Sequence, residues 1–355
     1  MVKLLQEEKG SAIVIVTLVL FVTLGMAALV MESGSQYVTQ SKLQNAADAA
    51  ALAEAQDIAK AMVNLRKQGT AAMSSITLAQ AEARIDQYAV LNGFSAENLT
   101  ATDFIYLDNI NNPYHGIPVG IKVDAGQEVK FGLGRIFGQT GNWITVHAEA
   151  QAGVVSRAIG LAPLSILEGQ DVNGNPVDMI TNNPINKNST DEDLQHVASG
   201  WFGYLQLGDK QGASFLAEQI ENGIDTDVEV GSVVDGVPGL KAGDINDNSV
   251  IGTLRDNCLA HCDNALCSYA GGYDEDCPRL KIIPVVRIMG GNGSNTKLKI
   301  LGFALCLLNP PAKYDSGWEL KATYLEGVTA KATAIEVNAI GTDRDYHTYG
   351  YLLTK

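Results

Sequence analysis

Five cysteines offer the most specific chemistry in this sequence, and four of them lie close together. Cys258, Cys262, Cys267 and Cys277 are followed at a distance by Cys306. Zinc sites need four converging ligands, and paired CxxC spacing is their strong signal, which these cysteines do not show. Beyond a membrane the compartment is oxidising and favours disulfides. We therefore predict two disulfides among the four, with zinc less favoured and the pairing left open. Cys306 either packs as a buried hydrophobe or pairs with one of the four.

Two polar stretches have the alternate spacing of a calcium loop, Asp244–Asn248 and Asp171–Asn175. An EF-hand loop requires Gly at its sixth position and Glu at its twelfth. The first stretch has Ser249 and Arg255 there, and the second departs from the pattern as well. Both are predicted to be turns, so we predict no metal site.

Motifs that would indicate catalysis are missing from the sequence. It contains no GxSxG elbow, no P-loop and no HExxH. The stretch Gly132–Gly138 (GLGRIFG) is one residue off the dinucleotide fingerprint and lacks the strand–helix–strand context. We predict no catalytic residue, no cofactor and no enzymatic activity. The histidines are scattered; they are His115, His147, His196, His261 and His347.

Length and composition limit the possible classes of protein. The chain has 355 residues and a formal net charge of -15, with 18% charged residues and 36 glycines. About two folded units fit this length besides any anchor. An acidic surface cannot neutralise phosphates, which excludes nucleic acid as a partner. Frequent glycine suits turn-rich β structure.

An uncharged run of 21 residues, Ser11–Met31, is long enough to span a bilayer as a helix. Lys3 and Lys9 precede the run and Glu32 follows it, which predicts a cytoplasmic N-terminus and an external bulk. A cleaved signal peptide would have a shorter apolar core and small residues at the cut. The sequence therefore predicts an uncleaved single-pass anchor.

A prepilin-type cut after Gly10 is the alternative form of processing. Type IV pilins usually carry Glu five residues after such a cut, whereas this chain has Ile15. Whether the N-terminus is cut stays open at this point.

The helix is predicted to continue beyond the membrane, to about Gln68, because strong helix formers follow Glu32 and no proline occurs before Pro113. Small apolar residues recur along it at helical spacing and predict a packing face. This face packs either on the chain's own second helix, the preferred reading, or on a copy or partner. The second helix is predicted over Thr77–Asn92, capped by Ser74 or Ser75. The packing residues are Leu43, Ala46, Ala47, Ala50 and Ala53.

The remainder is predicted to be β-rich, which gives an α+β class with helices against an antiparallel sheet. We predict four parts: a cytoplasmic N-terminus (1–10), the transmembrane helix (11–31), a stalk with a second helix and a small α+β unit (32–160), and a β-rich external domain (161–355). An Asn- and Pro-rich stretch, 170–193, is predicted to be an exposed loop. The strands are predicted at 117–125, 128–131, 143–155, 201–207, 281–288, 297–308 and 329–340, with helical segments at 133–137 and 214–222.

The N-terminal segment resembles that of the TadE/TadG-like pilus-assembly family. That family has an apolar span, an acidic residue near a glycine, and then a Leu-Gln-Asn-Ala-Ala-Asp-Ala-Ala-Ala-Leu-Ala run, which Leu43–Ala53 matches closely. Glu32 stands where the family usually has Asp. Looser similarities follow in order at Lys130–Val154, Gly200–Gly208, Ile283–Val286 and Leu298–Leu308.

The resemblance implies an envelope component or minor subunit of the tight-adherence (Flp) pilus system. It implies an inner-membrane location, a periplasmic or extracellular bulk, and contacts with other pilus-assembly or pilin-like proteins, with self-association possible. Longer members carry a von Willebrand A domain, and its metal-adhesion motif is missing here. The alternatives are a surface protein that binds a ligand near Trp201, Phe202 and Tyr204, and an anchored hydrolase.

Overall fold

The computed structural model describes residues 2–132, 134–138, 140–168, 176–180, 201–208, 213–238, 250–261, 267, 274, 276–291, 295–309, 312–314 and 317–354. One long N-terminal helix precedes a β-rich body made of two sheets. This confirms the α+β class. The predicted division at residues 10, 31 and 160 stays a prediction.

Helix α1 (Val2–Met62) is 61 residues long, which corresponds to about 90 Å at 1.5 Å per residue. It begins earlier than predicted and ends at Met62, after which a short helix α2 (Leu65–Gln68) completes the predicted length. Gly69 follows with a φ of 58°, a left-handed conformation that glycine adopts without strain. The predicted end at Gln68 is therefore the end of α2.

The second helix, α3 (Leu78–Leu91), lies where the sequence predicted it. Its cap is Thr77, whose hydroxyl accepts a hydrogen bond from the N–H of Gln80, so the predicted Ser74 or Ser75 cap is wrong. A 3₁₀ turn over Gly69–Met73 precedes Ser74 and delays the start of the helix.

The first sheet begins with three antiparallel strands, β1 (Leu99–Tyr106), β2 (Pro118–Lys130) and β3 (Gly141–Ala158). Strand β1 was not predicted. The strands predicted at 117–125 and 128–131 were expected to pair with each other. They are instead one continuous strand, β2, which pairs with β1 and β3. A short 3₁₀ turn, Gly134–Phe137, lies in the connection between β2 and β3 and confirms the predicted helical turn.

Four further strands complete the first sheet, whose order is β1–β2–β3–β15–β13 with β7 and β14 also paired to β3. Three of them come from the C-terminal region, which therefore returns to the sheet nearest the N-terminus. The predicted strand 329–340 is only partly a strand, because a 3₁₀ turn over Val337–Ala339 follows β14. The four are β7 (Val228–Glu229), β13 (Gly327–Thr329), β14 (Ala332–Glu336) and β15 (Thr348–Leu353).

The second sheet has the order β11–β12–β10–β8–β6, with β9 between β10 and β4, and β5 on β12. Strand β5 lies within the predicted loop 170–193, of which the other residues lie outside the described ones. The strands are β4 (Ile166–Leu167), β5 (Pro176–Ile180), β6 (Trp201–Gln206), β8 (Val233–Pro238), β9 (Leu280–Gly290), β10 (Lys297–Leu308), β11 (Ala312–Tyr314) and β12 (Gly317–Leu325).

Both sheets are mixed, which corrects the predicted purely antiparallel arrangement. Strand β13 runs parallel to β15, and β4 runs parallel to β9. Between β13 and β15 the chain passes through β14 and a 3₁₀ turn, and this crossover returns it in the same direction. Two helices accompany the second sheet, the predicted α4 (Ala213–Asn222) and the unpredicted α5 (Val250–His261).

The main core forms where α1 lies across the first sheet. Residues of β3 alternate between exposed and buried, and the buried ones include Ile144, Val146, Ala148 and Ala150. Val146, Ala148 and Ala150 belong to one buried cluster with the small residues of α1. Alanines on both surfaces let the helix approach the strands closely, so the interface has little space for larger side chains.

Replacing Ala50 by Leu is expected to destabilise the protein by about 1–3 kcal/mol, because a fully buried helix–sheet contact cannot accept the added volume. The measurement is thermal unfolding of the full chain in detergent micelles. Ala83→Leu, on the exposed face of α3, is the matched control and should change stability little, since Ala and Leu are both good helix formers. Equal losses in both variants would contradict the expectation.

Candidate functional site

The N-terminal part of α1 presents a continuous apolar surface to its surroundings. Side chains from Ile13 to Met31 are mostly exposed; Leu29, for example, is 69% exposed. By length and composition, this is the one helix among the described residues that is fit to cross a membrane. Exposed apolar side chains in such number are tolerated by lipid rather than by water. The helix is therefore a plausible membrane anchor.

Beyond the span, the same helix becomes the central element of a packed core. Leu43, Ala46, Ala47 and Ala50 are buried, and Ala53 is half-buried. The four buried residues belong to the cluster formed with α3 and with the inward face of the first sheet. The sequence had left open the chain's own second helix or another molecule as the partner of this face. The structure places the four buried residues against the chain's own strands as well as α3.

A buried carboxylate joins the two helices. Glu54 on α1 is 1% exposed, and both its oxygens accept hydrogen bonds from the Arg84 guanidinium of α3 at 2.8 Å. Asp57 lies 3.2 Å from the same guanidinium. The hydrogen bond to Glu54 raises the pKa of Arg84 above its usual value. Bidentate geometry fixes the relative rotation of the helices as well as their distance.

Polar contacts also hold α1 near both ends of its packed part. The Gln44 amide donates to the carbonyl of His147 at 3.0 Å. At the far end, Arg66 and Lys67 of α2 form ion pairs with the half-buried Glu326, at 2.9 and 3.0 Å. Glu326 precedes β13, so these ion pairs connect the helix terminus to the C-terminal strands.

Three cysteines converge in the body of the protein. The sulfurs of Cys258, Cys267 and Cys277 lie within 4.8 Å of one another, and all three residues are buried. Cys258 and Cys277 are 3.4 Å apart, a hydrogen-bonding distance rather than a disulfide of about 2.05 Å. Cys262 lies outside the described residues. Cys306 is buried on β10 and does not belong to this three-sulfur group.

The charges around this thiol cluster distinguish its members. Burial by itself would raise the pKa of the Cys258 thiol, but hydrogen bonds from the Cys267 backbone, the Cys277 thiol and Arg279 lower it. Burial raises the pKa of Cys277 to about 12. Arg279 lies 3.8 Å from the Cys258 sulfur and also donates to the Cys267 carbonyl. The Cys258 thiol therefore ionises more readily than the Cys277 thiol. With three sulfurs the cluster supplies three of the four ligands of a closed zinc site.

Other residues that the sequence singled out do not converge. His147 is exposed on β3, with its Nδ1 2.6 Å from the Asp124 carboxylate. Tyr204 is fully buried, whereas the side chains of Trp201 and Phe202 lie outside the described residues. Both calcium-like stretches, 171–175 and 244–248, also lie outside the described residues.

Sequence reasoning missed Glu54, Arg84 and Glu326. Glu54 occupies a position four residues after Ala50, in register with the apolar face. A carboxylate inside an apolar stripe requires a polar or charged partner, so the sequence could have predicted that Glu54 has one. Its partner on another helix could not be identified without the tertiary contact.

Comparison with known proteins found one similarity, in the N-terminal part of α1. Residues 10–57 match the family model described as "Putative Flp pilus-assembly TadE/G-like". The resemblance seen in Leu43–Ala53 is thereby confirmed. Comparisons with curated proteins and with solved structures found no match. The matched segment contains the apolar span, the buried alanine face and Glu54, so the described contacts of α1 are contacts of this family segment.

Removing the Arg84 side chain is expected to cost roughly 3 kcal/mol, because Arg84→Ala leaves the buried Glu54 carboxylate without its main cation. Thermal unfolding in detergent measures the loss. The control is Arg157→Ala, which breaks the exposed ion pair with Glu229 and should cost at most about 1 kcal/mol. A loss for Arg84→Ala no greater than the control would show that Glu54 is not effectively buried.

Proposed function

We propose that this protein is a membrane-anchored envelope component of Flp pilus assembly that acts through protein–protein contacts and not by catalysis. The observation that carries the proposal is the family match over residues 10–57, which covers the span and the docked helix together. The family description refers to assembly and names no reaction. The basic residues before the span support an inner-membrane location with the N-terminus inside and the body outside.

The attachment of α1 to the body supports an assembly role. Because Gln44 and Glu54 bind α1 to other elements, the span is not a flexible tether. A continuous helix passes from the apolar segment into the core. The body is thus presented at a defined distance and orientation from the bilayer, which suits a scaffold that must meet partners in register. The partners we propose are other pilus-assembly or pilin-like membrane proteins, including copies of this chain.

The two alternatives find less support. A ligand-binding surface would need exposed rings near Tyr204, but that ring is buried in the second sheet's core. A hydrolase would need converging carboxylates or a His–Ser pair in a cleft. Of the described cavities, one of about 420 Å³ lies where α1 meets strands β9, β10, β13 and β15. Its titratable lining residues are Asp276, Cys277, Lys281, Lys331 and Tyr351. Those groups form neither arrangement.

We also propose that the thiol cluster is oxidised in the mature protein, with Cys258 and Cys277 as one pair. Their sulfurs need to approach by little more than 1 Å to form a bond of about 2.05 Å. Formation transfers two protons and two electrons to the thiol oxidants of the compartment. A disulfide across this separation of 19 positions would stabilise the fold by about 3 kcal/mol.

Fractionation of the native host tests the assembly role. We expect the protein to be in the inner membrane, with an intact N-terminus by mass spectrometry, and we expect deletion of its gene to abolish surface pili. Complementation by the full chain is the control. Protein in sheared filaments that begins at Ser11 would instead make it a processed subunit of the same system. Normal piliation in the deletion strain would contradict the proposal altogether.

Alkylation before unfolding tests the oxidised cluster. Protein purified from membranes with a thiol-blocking reagent should yield a Cys258–Cys277 cross-linked peptide in non-reducing mass spectrometry. Cys306, which is buried, should be alkylated only after unfolding. Recovery of Cys258 and Cys277 on separate alkylated peptides, together with stoichiometric zinc by metal analysis, would establish a metal site in place of the disulfide.

A further inference from the structure

Residues of the body cover one face of α1 near the C-terminal end of the apolar run. Ala28 is 2% exposed, although its neighbour Leu29 is 69% exposed. The connection between β2 and β3 lies against this part of α1, and its described residues 131, 132 and 134–138 are hereafter called the tip. Phe131 and Gly134 of the tip line a cavity together with Gly25, Ala28 and Leu29 of the helix. A loop of the body thus reaches residues that belong to the apolar run.

Glu32 attaches the tip to the helix. Its carboxylate accepts a hydrogen bond from the Gly134 N–H at 2.6 Å. A Cβ at position 134 would lie 2.5 Å from the other carboxylate oxygen, so a larger residue there would have to displace the Glu32 carboxylate. Gly25, Ala28, Glu32 and Gln36 are the less exposed positions along this stretch, at spacings of three and four. The tip therefore follows one face of α1 into the span.

The depth of the contact follows from helix geometry. Ala28 precedes Met31, the last residue of the apolar run, by three positions, and Gly25 precedes it by six. At 1.5 Å per residue, these positions lie about 4.5 and 9 Å below the end of the run. Peripheral segments that lie in the membrane interface reach about 5–10 Å into the boundary between headgroups and acyl chains. If the apolar run crosses the bilayer, the tip occupies that boundary.

We propose that the tip is a second membrane contact, inserted into the leaflet on the side of the body, and that the cavity between the tip and α1 holds a phospholipid acyl chain. The proposal rests on membrane anchoring, which is part of the proposed function. The cavity measures about 420 Å³ and is continuous with the lipid-exposed face of the span. An apolar cleft within the leaflet is filled by acyl chains more favourably than by water.

The charges around the tip suit a headgroup layer. Lys130 and Arg135 are exposed, and in the sequence they flank the two tip residues that line the cavity, Phe131 and Gly134. Long basic side chains extend toward lipid phosphates while their apolar stems stay in the boundary region. The chain as a whole has a net charge of -15, so a basic pair at this position departs from its general character. Ser33 and Gln36 line the end of the cavity that faces away from the membrane centre.

Photocross-linking of the full chain in vesicles of phosphatidylcholine and phosphatidylglycerol tests the proposal. The photoreactive residue p-benzoylphenylalanine replaces Phe131 in one variant, Leu24 in the span in a second, and Tyr106 in a third. Tyr106 is an exposed aromatic at the end of β1 opposite the tip, since it pairs with Pro118 at the start of β2. Leu24 reports anchoring, and Tyr106 reports non-specific labelling. Lipid adducts are quantified by mass spectrometry.

The expected result is lipid labelling at position 131 comparable to that at position 24 and many-fold above that at position 106. Labelling at 24 without labelling at 131 would leave the anchor in place and overturn the tip contact. Protein adducts in place of lipid adducts at 131 would also overturn it, because they would show that a second copy covers the cavity. Absence of lipid labelling at 24 would remove the anchoring on which the proposal depends.

Discussion

The fit between a helix of small residues and a sheet of small residues is the constraint on which the rest of this structure depends. Ala46, Ala47 and Ala50 meet a strand surface that includes Ala148 and Ala150. A larger side chain on either surface would separate the two elements. Their separation would disturb the contact between Glu54 and Arg84, which needs the helices at a fixed distance. The family-matched segment is therefore apolar and exposed in its first part and constrained by its own sheet in its second part.

Much of the helical part could be predicted from the sequence because its signals are local. An uncharged run, an alanine-rich continuation and a glycine stop determine α1 and α2 without any knowledge of distant residues. Errors arose where tertiary packing decided the outcome. The predicted gap between the strands 117–125 and 128–131 is wrong, because Gly126 lies inside β2, where a Cβ would come within 2.9 Å of the Trp143 ring. That glycine serves close packing and does not form a turn.

The candidate sites divide in the same way. Helical periodicity predicts the burial of Leu43 and of three of the alanines, but it does not predict the sheet on which they pack. That sheet forms only when β15 pairs with β3, which joins residues about 200 positions apart. The clustering of Cys258, Cys267 and Cys277 was suggested by their proximity in sequence. Its geometry depends on α5, whose sequence has a weak apolar periodicity and was not predicted. Glu326 pairs with Arg66 across more than 250 residues, and no local pattern predicts such a contact.

The return of the C-terminal strands to the first sheet imposes an order on biogenesis. Helix α1 is synthesised first, whereas Tyr349 of β15, which belongs to the same buried cluster, is synthesised almost last. The alanine face of α1 therefore stays incompletely covered while nearly three hundred further residues are synthesised. Contacts of such long sequence separation form slowly. The nascent chain thus passes through a stage in which α1 is complete but the last strands of its binding surface have not yet been made. During that interval the alanine face is open to chaperones or to the helix of a neighbouring molecule.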